Sequence, residues 1–393
     1  MQYENYPFKV SKMKERQAIR VLLVLSYLVL VTRGIDTTTV QRENTSKILP
    51  VRKDNNTIMM EGGDVYDCID VNIQPTLDHP LLKQHKIQME PSCLPVEQST
   101  TSSSKNNILQ AHLSIIECPT GMVPILRNNR RGHIGAYITG QVINKDDQLE
   151  MAGIRYKDDL YGVRATINVY QPKVKKDSKD ISQSGILIDN GPKGHEEGVG
   201  VCYSVAPSIN GDSFVRFHVV WRDGKLHKPC YDHVCPGFVQ VSQRVGLGGR
   251  LVPVSVYNGP QYVIDIFIFK DPKTANWWVM YGEEKTPIGY WPSSLFSHIK
   301  DKGVASYSGG FVQGPTASSD SPQIGSGHFA SEGYGKAAFV RNIQIVDNNN
   351  KLVTPNSHKY LLGTSDKTKY SIDGFKVDNH GMHMYYGGPG NFV

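Results

Sequence analysis

No G-x-S-x-G elbow, H-E-x-x-H helix, phosphate loop or strand-following G-x-G-x-x-G occurs in this 393-residue sequence. Their absence removes the commonest serine-hydrolase, zinc-peptidase and nucleotide-binding chemistries. Charge of one sign is scarce as well. The 43 basic residues face 37 acidic ones, and part of the net +6 sits in Lys9, Lys12, Lys14, Arg16 and Arg20. An excess so small and so spread argues against a nucleic-acid partner. Long hydrophobic runs are limited to residues 21–31, and no second run downstream suits a bilayer span. No amphipathic helix longer than about two turns stands out. What is present instead is 37 glycines, 22 prolines and 20 tyrosines, with 39% hydrophobic residues. That is material for many short strands and turns around a sizeable core.

The apolar run VLLVLSYLVLV follows a basic stretch and is followed by small or polar residues through Gly34. This is the pattern of a signal peptide over 1–34, too short to cross a membrane comfortably, with an uncleaved anchor as the alternative. Met13 is a second possible start. A secreted protein is expected, with no stable membrane insertion once the signal is removed. Asn44 and Asn55 then read as glycosylation acceptors. Cys230 and Cys235, in CYDHVC, are close enough for a small disulfide loop in an oxidising compartment. A zinc site using His227 and His233 is the rival reading, but no second paired-ligand motif completes it. We expect no metal and no cofactor. Residues 35–62 form a polar leader without period, residues 96–107 a Ser/Thr/Asn linker, and Arg130-Arg131 a dibasic processing candidate.

After the dibasic pair the pattern is repeated short strands. These are AYITGQVI, GVRATINVY and SGILIDNG, and further on FVQVSQRV, VPVSVYN, QYVIDIFIF and NWWVMYG. At the centre stands a hairpin, Gly198 to Trp221, with residues 206–212 as its loop. Alternation puts Val199, Val201, Tyr203 and Val205 on one face and Gly200, Cys202 and Ser204 on the other. The best helix candidate is Pro292 to Lys302, with Pro at its start. The spacing predicts an all-β chain, an antiparallel β-sandwich preceded by a small pro-domain.

Isolated chemistry-bearing residues have bland readings. His195-Glu196-Glu197 lacks the second histidine of a zinc helix. Asp78-His79 lies between Pro75 and Pro80 and reads as a turn cap. His328, in GSGHF, reads as structural. Cys202 reads as a small buried thiol, since no base for it can be nominated from sequence.

Seven blocks carry a resemblance: GDVYDCIDVNIQPTLDHPLLKQHKIQMEPS, CPTGMVPI, YGVRATINVYQPKV, CYDHVCPGFVQ, WWVMYGEEKTPIGYWPSSLF, IGSGHFASEGYGKAAFVRNIQIVD and YYGGPG. The first resembles the activation-peptide motif of the plant neprosin family and the others its catalytic domain. The resemblance covers nearly everything from residue 62 onward. It implies a pro-domain over 63–131, a β-sandwich over 132–393, and a secreted zymogen of a glutamic endopeptidase cutting after proline. Such an enzyme needs two carboxyls across a groove, one ionised to activate water and one neutral to donate a proton. The family segments E-A-G-W-x-V-x-P and W-G-G-E-V put these carboxyls at Gly200 and Phe311 here, so both are missing. Glu197 is expected on the opposite sheet face, and Glu196 about 13 Å along the strand. Asp301 and Asp320 are distant in sequence from Phe311, and Glu283, Glu284 and Glu332 sit in other blocks. The family's C-terminal cysteine pair is also absent. The expected function is a family member without the glutamic dyad, binding a proline-containing polypeptide beside its own pro-domain. Tyr203, Trp221, Trp291 and Tyr307 are the groove candidates. The alternative is an active post-proline endopeptidase using displaced carboxylates.

Overall fold

The computed structural model describes residues 50–54, 56–97, 108–127, 148–224, 229–378 and 381–392. All of them belong to the unit spanning residues 47–393. The signal segment, Asn44, Asn55, Arg130-Arg131, His227 and the strand expected around AYITGQVI lie outside the described residues.

Seven strands form the sheet that positions the site. In chain order they are β1 (Gln148–Leu160), β2 (Ile181–Asn190), β3 (Glu197–Val205), β4 (Arg216–Arg222), β5 (Cys230–Tyr231), β6 (Gly303–Gly314) and β7 (Tyr360–Thr364). Their spatial order is β5-β4-β3-β2-β6-β1-β7, every pairing antiparallel. A second, eleven-stranded sheet is built around Gly162–Asn168, Tyr262–Lys270, Trp277–Tyr281, Thr286–Trp291 and Ala338–Val346. One core joins the two. Ile186, Ile188, Val199 and Val201 come from the first sheet, and Val163, Ile167, Ile264 and Ile268 from the second. This is the antiparallel sandwich that the strand spacing predicts.

Tyr262–Lys270 is apolar on both faces from Val263 to Phe269 except at Asp265, because the strand is buried on both faces. Its Phe267 and Phe269 join Trp278, Met280 and Tyr290 in a separate outer cluster. A four-stranded sheet, Pro50–Asp54, Thr57–Met60, Val65–Asp70 and Met122–Leu126, forms separately, and the Cys68–Cys118 disulfide ties its third strand to the loop that precedes its fourth. The Cys230–Cys235 disulfide forms as expected, while Cys93 and Cys202 are free. No described helix is long and apolar enough to cross a membrane.

Two expectations change. The helix over Pro292–Lys302 is only a 3-10 turn at Ser293–Leu295. The amides of Ser297, His298 and Ile299 donate to the Glu197 carboxylate at 2.7–3.0 Å, so they are withdrawn from any helical ladder. VPVSVYN contributes only Val252 to a strand, Leu251–Val252.

Candidate functional site

The β3–β4 hairpin pairs Gly198 with Arg222 through Ser204 with Arg216. A single helical turn, Pro207–Asn210, closes it, ended by Gly211 in the left-handed region at φ 72°. Val199, Val201, Tyr203 and Val205 face the core, each fully buried. Following the register outward defines the opposite face. One cross-strand row runs Arg216, Ser204, Gln183, Phe311, Met151. The next runs His218, Cys202, Gly185, Gly309, Gly153, and the third Val220, Gly200, Leu187, Tyr307, Arg155.

Gly200 and Phe311 therefore share a face, separated by β2 and offset by four residues. Strand spacing and rise put their α carbons about 16 Å apart on a flat sheet. Neither position carries a carboxyl. A β carbon at Gly200 would lie 2.9 Å from Leu187 Cδ1, 3.2 Å from Val220 Cγ1 and 2.8 Å from the Ile186 carbonyl oxygen. Apolar side chains occupy the space a longer residue would need.

The carboxylates near this face are committed elsewhere. Asp189 is 2.6 Å from Arg155 Nη2, and Glu196 is 3.6 Å from Arg222 Nη2. Glu197 pairs with Asn190 on the inner-face row and accepts the three loop amides described above. Asp320 pairs with Lys175, and Glu332 holds His328 Nδ1 at 3.0 Å and the Tyr257 hydroxyl at 2.8 Å. His328 thus has the structural setting expected of it.

The groove candidates separate. Tyr203 and Trp291 are 0% exposed and Trp221 is 1% exposed, so these three are core side chains rather than groove contacts. Tyr203 donates to the Asn168 carbonyl at 2.7 Å, and Trp221 packs edge-on against Phe296. The cause is parity: Tyr203 and Trp221 alternate with the Gly200 face. Tyr307 lies on the Gly200 face, its hydroxyl donating to the Gly310 carbonyl at 2.7 Å, its ring 6.3 Å from Phe311.

Sequence reasoning missed what surrounds Cys202. His218 stands directly opposite it in the register. His218 Nδ1 is 2.7 Å from Asp232 Oδ2, and Asp232 Oδ1 accepts the Val219 amide at 3.0 Å. Cys202 Sγ donates to Gln183 Oε1 at 3.4 Å, and Gln183 Nε2 donates to the Tyr231 hydroxyl at 3.0 Å. Burial first, then the Asp232 charge, hold the Cys202 thiol protonated, far above its usual range. Counting back from the hairpin loop would have paired residues 202 and 218, but only once the loop was known to close between Ser204 and Arg216. His233 lies apart from this group, its Nε2 2.8 Å from Gln240 Oε1. Among the described residues no cluster of His, Cys, Asp and Glu is arranged to hold a metal.

The N-terminal segment contacts both sheets. Asp64 meets Arg216 through two bonds of 3.0 and 3.1 Å, and Asp212 joins the same guanidinium at 2.8 Å. Further on, Gln74 and Gln240 exchange bonds, Thr76 accepts the Gly237 amide, and His85 Nε2 lies 2.7 Å from the Tyr290 hydroxyl. Asp271 accepts from Ser92 and Gln88. His79 caps the turn that follows it, accepting the Leu81 amide at 3.2 Å, while its ring packs against Trp221.

The family model described as Neprosin matches residues 178–389, and that for the Neprosin activation peptide matches 57–154. Among solved structures, scytalido-glutamic peptidase bound to a peptide-based transition-state analog is 8% identical. The likeness covers 61% of this chain and 98% of that one, with a TM-score of 0.33. SCP-B, an Eqolisin-family peptidase in complex with the tripeptide Ala-Ile-His, is 10% identical over 61% and 98%, with a TM-score of 0.32. A β-fructofuranosidase from Schwanniomyces occidentalis is 9% identical over 52% and 36%, with a TM-score of 0.22.

Proposed function

The chain belongs to the neprosin family, and we propose that within it this protein is a secreted precursor that binds proline-containing polypeptide without glutamic-peptidase chemistry. One observation carries the reading. The two positions where the family pattern puts glutamates are Gly200 and Phe311, on one sheet face, and Leu187 and Val220 close the space beside Gly200. Water activation by a carboxyl pair requires one ionised and one neutral member facing each other. The nearby acids Asp189, Asp232, Glu196 and Glu197 are each tied to a cation, a histidine or backbone amides, which counts against a displaced pair.

The half-buried rings of Phe311 and Tyr231 are aromatic surface on this face for an extended proline segment, whereas Tyr307 is only 8% exposed. The two disulfides suit an oxidising compartment. The signal over 1–34, glycosylation at Asn44 and Asn55, and a pro-domain over 63–131 ahead of a sandwich domain complete the proposal. The test is retention of the secreted protein on an immobilised proline-rich peptide. Saturable retention, weakened by Phe311→Ala, is expected; equal retention on a proline-free peptide would refute it.

A further inference from the structure

We propose that Cys202 and His218 form a thiol acyl-transfer centre on the face that has lost its carboxyls, with Asp232 as the residue that positions the imidazole. The inference rests on reading this face as a polypeptide-binding surface, but it uses groups which that reading leaves idle.

The strand register supplies the group types a thiol nucleophile requires, an imidazole opposite the thiol and a carboxylate on that imidazole, while the resting thiol donates to Gln183 Oε1. Cys202 and His218 are direct cross-strand partners on the same face, which sets their β carbons about 4.5–5.5 Å apart. Asp232 engages Nδ1 of the ring, leaving Nε2 as the nitrogen for the thiol proton. Asp232 is itself fixed, because its carboxylate accepts the Val219 amide and its own amide donates to the Val219 carbonyl. It is held in the left-handed region, φ 49°, within the loop closed by Cys230–Cys235. The disulfide loop thus delivers a carboxylate to a histidine. The same loop carries Tyr231, whose ring meets His218 edge-on at 5.9 Å and whose hydroxyl holds Gln183.

Beyond Cys202 the row continues through Gly185, Gly309 and Gly153, between Gln183 and Phe311 on one side and Leu187 and Tyr307 on the other. Cys202 is only 3% exposed, so an extended acyl donor laid along this row meets the thiol once the Gln183 side chain turns away from it. Because burial keeps the thiol neutral, the step is general-base catalysis rather than attack by a standing thiolate. Cys202 Sγ bonds to the carbonyl carbon as its proton passes to His218 Nε2. The bond to the leaving amine or alcohol then breaks as that proton moves to it, leaving a thioester on Cys202. Water, deprotonated by His218, hydrolyses the thioester and restores the thiol. Gln183 accepts from the resting thiol through Oε1 and donates through Nε2 to Tyr231, so it holds Cys202 in place before the step.

The experiment treats the full chain with p-nitrophenyl acetate and reads the release burst together with the acetylated peptide by mass spectrometry. Cys93, the exposed free cysteine, serves as internal control. Acetylation at Cys202 is expected, unchanged by Cys93→Ser and slowed roughly 10²-fold or more by His218→Gln. Asp232→Asn should also slow it and move the midpoint of its pH profile, which a purely structural role would not do. Circular dichroism establishes that each variant is folded. Acetylation confined to Cys93, or equal at Cys202 in the His218→Gln chain, would overturn the proposal. Either result would leave the missing carboxyl pair untouched, since that rests on positions 200 and 311.

Discussion

At the scale of single residues, Gly200 and Glu197 show how three positions along one strand separate two fates. Glu197 is buried and satisfies three backbone amides, so it serves the loop rather than a reaction. Glu197→Ala would leave Ser297, His298 and Ile299 without that acceptor, at about 1–3 kcal/mol for each amide that stays dry. A loss of at least ~2 kcal/mol in urea unfolding is the expected outcome; an unchanged midpoint would contradict it. Gly200→Glu should cost about 1–3 kcal/mol through overpacking. Leu187 and Val220 stand within 3.2 Å of the new β carbon. The double variant Gly200→Glu/Leu187→Ala should recover part of that loss in the same measurement. Positions 200 and 311 are singled out in the sequence by the family resemblance, and strand alternation gives the face on which Gly200 lies. The Cys202–His218–Asp232 group is not legible in that way, because it needs a register and a disulfide loop that brings residue 232 back over β4.

At the scale of elements, the segment from Val71 to Ser92 is a series of 3-10 turns, Val71–Ile73, Pro75–Asp78 and Pro80–Leu82. Its prolines and polar caps favour such turns over a helix, and side chains rather than a backbone ladder hold it to the sandwich. Its titration has a definite sign. Burial lowers both His79 and His85 below the ordinary histidine value. The released segment therefore binds more protons than the docked one, so docking is fullest above the ordinary value, about 6.5, and weakens as pH falls below it. At Asp271 burial alone would raise the carboxyl, but the bonds from Ser92, Gln88 and Lys273 outweigh it and the net shift is downward. That contribution is present above the usual aspartate value and is lost in more acidic solution. Protection of the amides over 71–92, taken relative to their intrinsic exchange rate at each pH, should fall between pH 7.5 and about 5. His85→Phe should blunt that fall; protection indifferent to pH would contradict the assignment. Prolines and turns marked this segment in the sequence, but its partners did not show. Strand β1, QLEMAGIRYKDDL, was missed for a related reason. Its outward side chains Arg155 and Lys157 interrupt an apolar pattern whose inward members are Ala152, Ile154 and Tyr156.

At the scale of the whole molecule, an antiparallel sheet and a mainly antiparallel one share one core, and the activation-peptide region docks on both. The inward faces could be read from alternation, and Tyr203 and Trp221 belong to them. The outward face of the seven-stranded sheet holds the functional question, and two chemistries compete for it. Paired carboxyls are absent from positions 200 and 311, while a thiol and an imidazole stand one row away. The central claim is that no glutamic-peptidase chemistry survives. The direct measurement takes the purified Cys202→Ala chain, which also lacks the thiol, and incubates it with a proline-containing peptide in acidic solution, following the peptide by mass spectrometry. The peptide should be bound and stay intact; cleavage after proline would reveal a working carboxyl pair and overturn that claim.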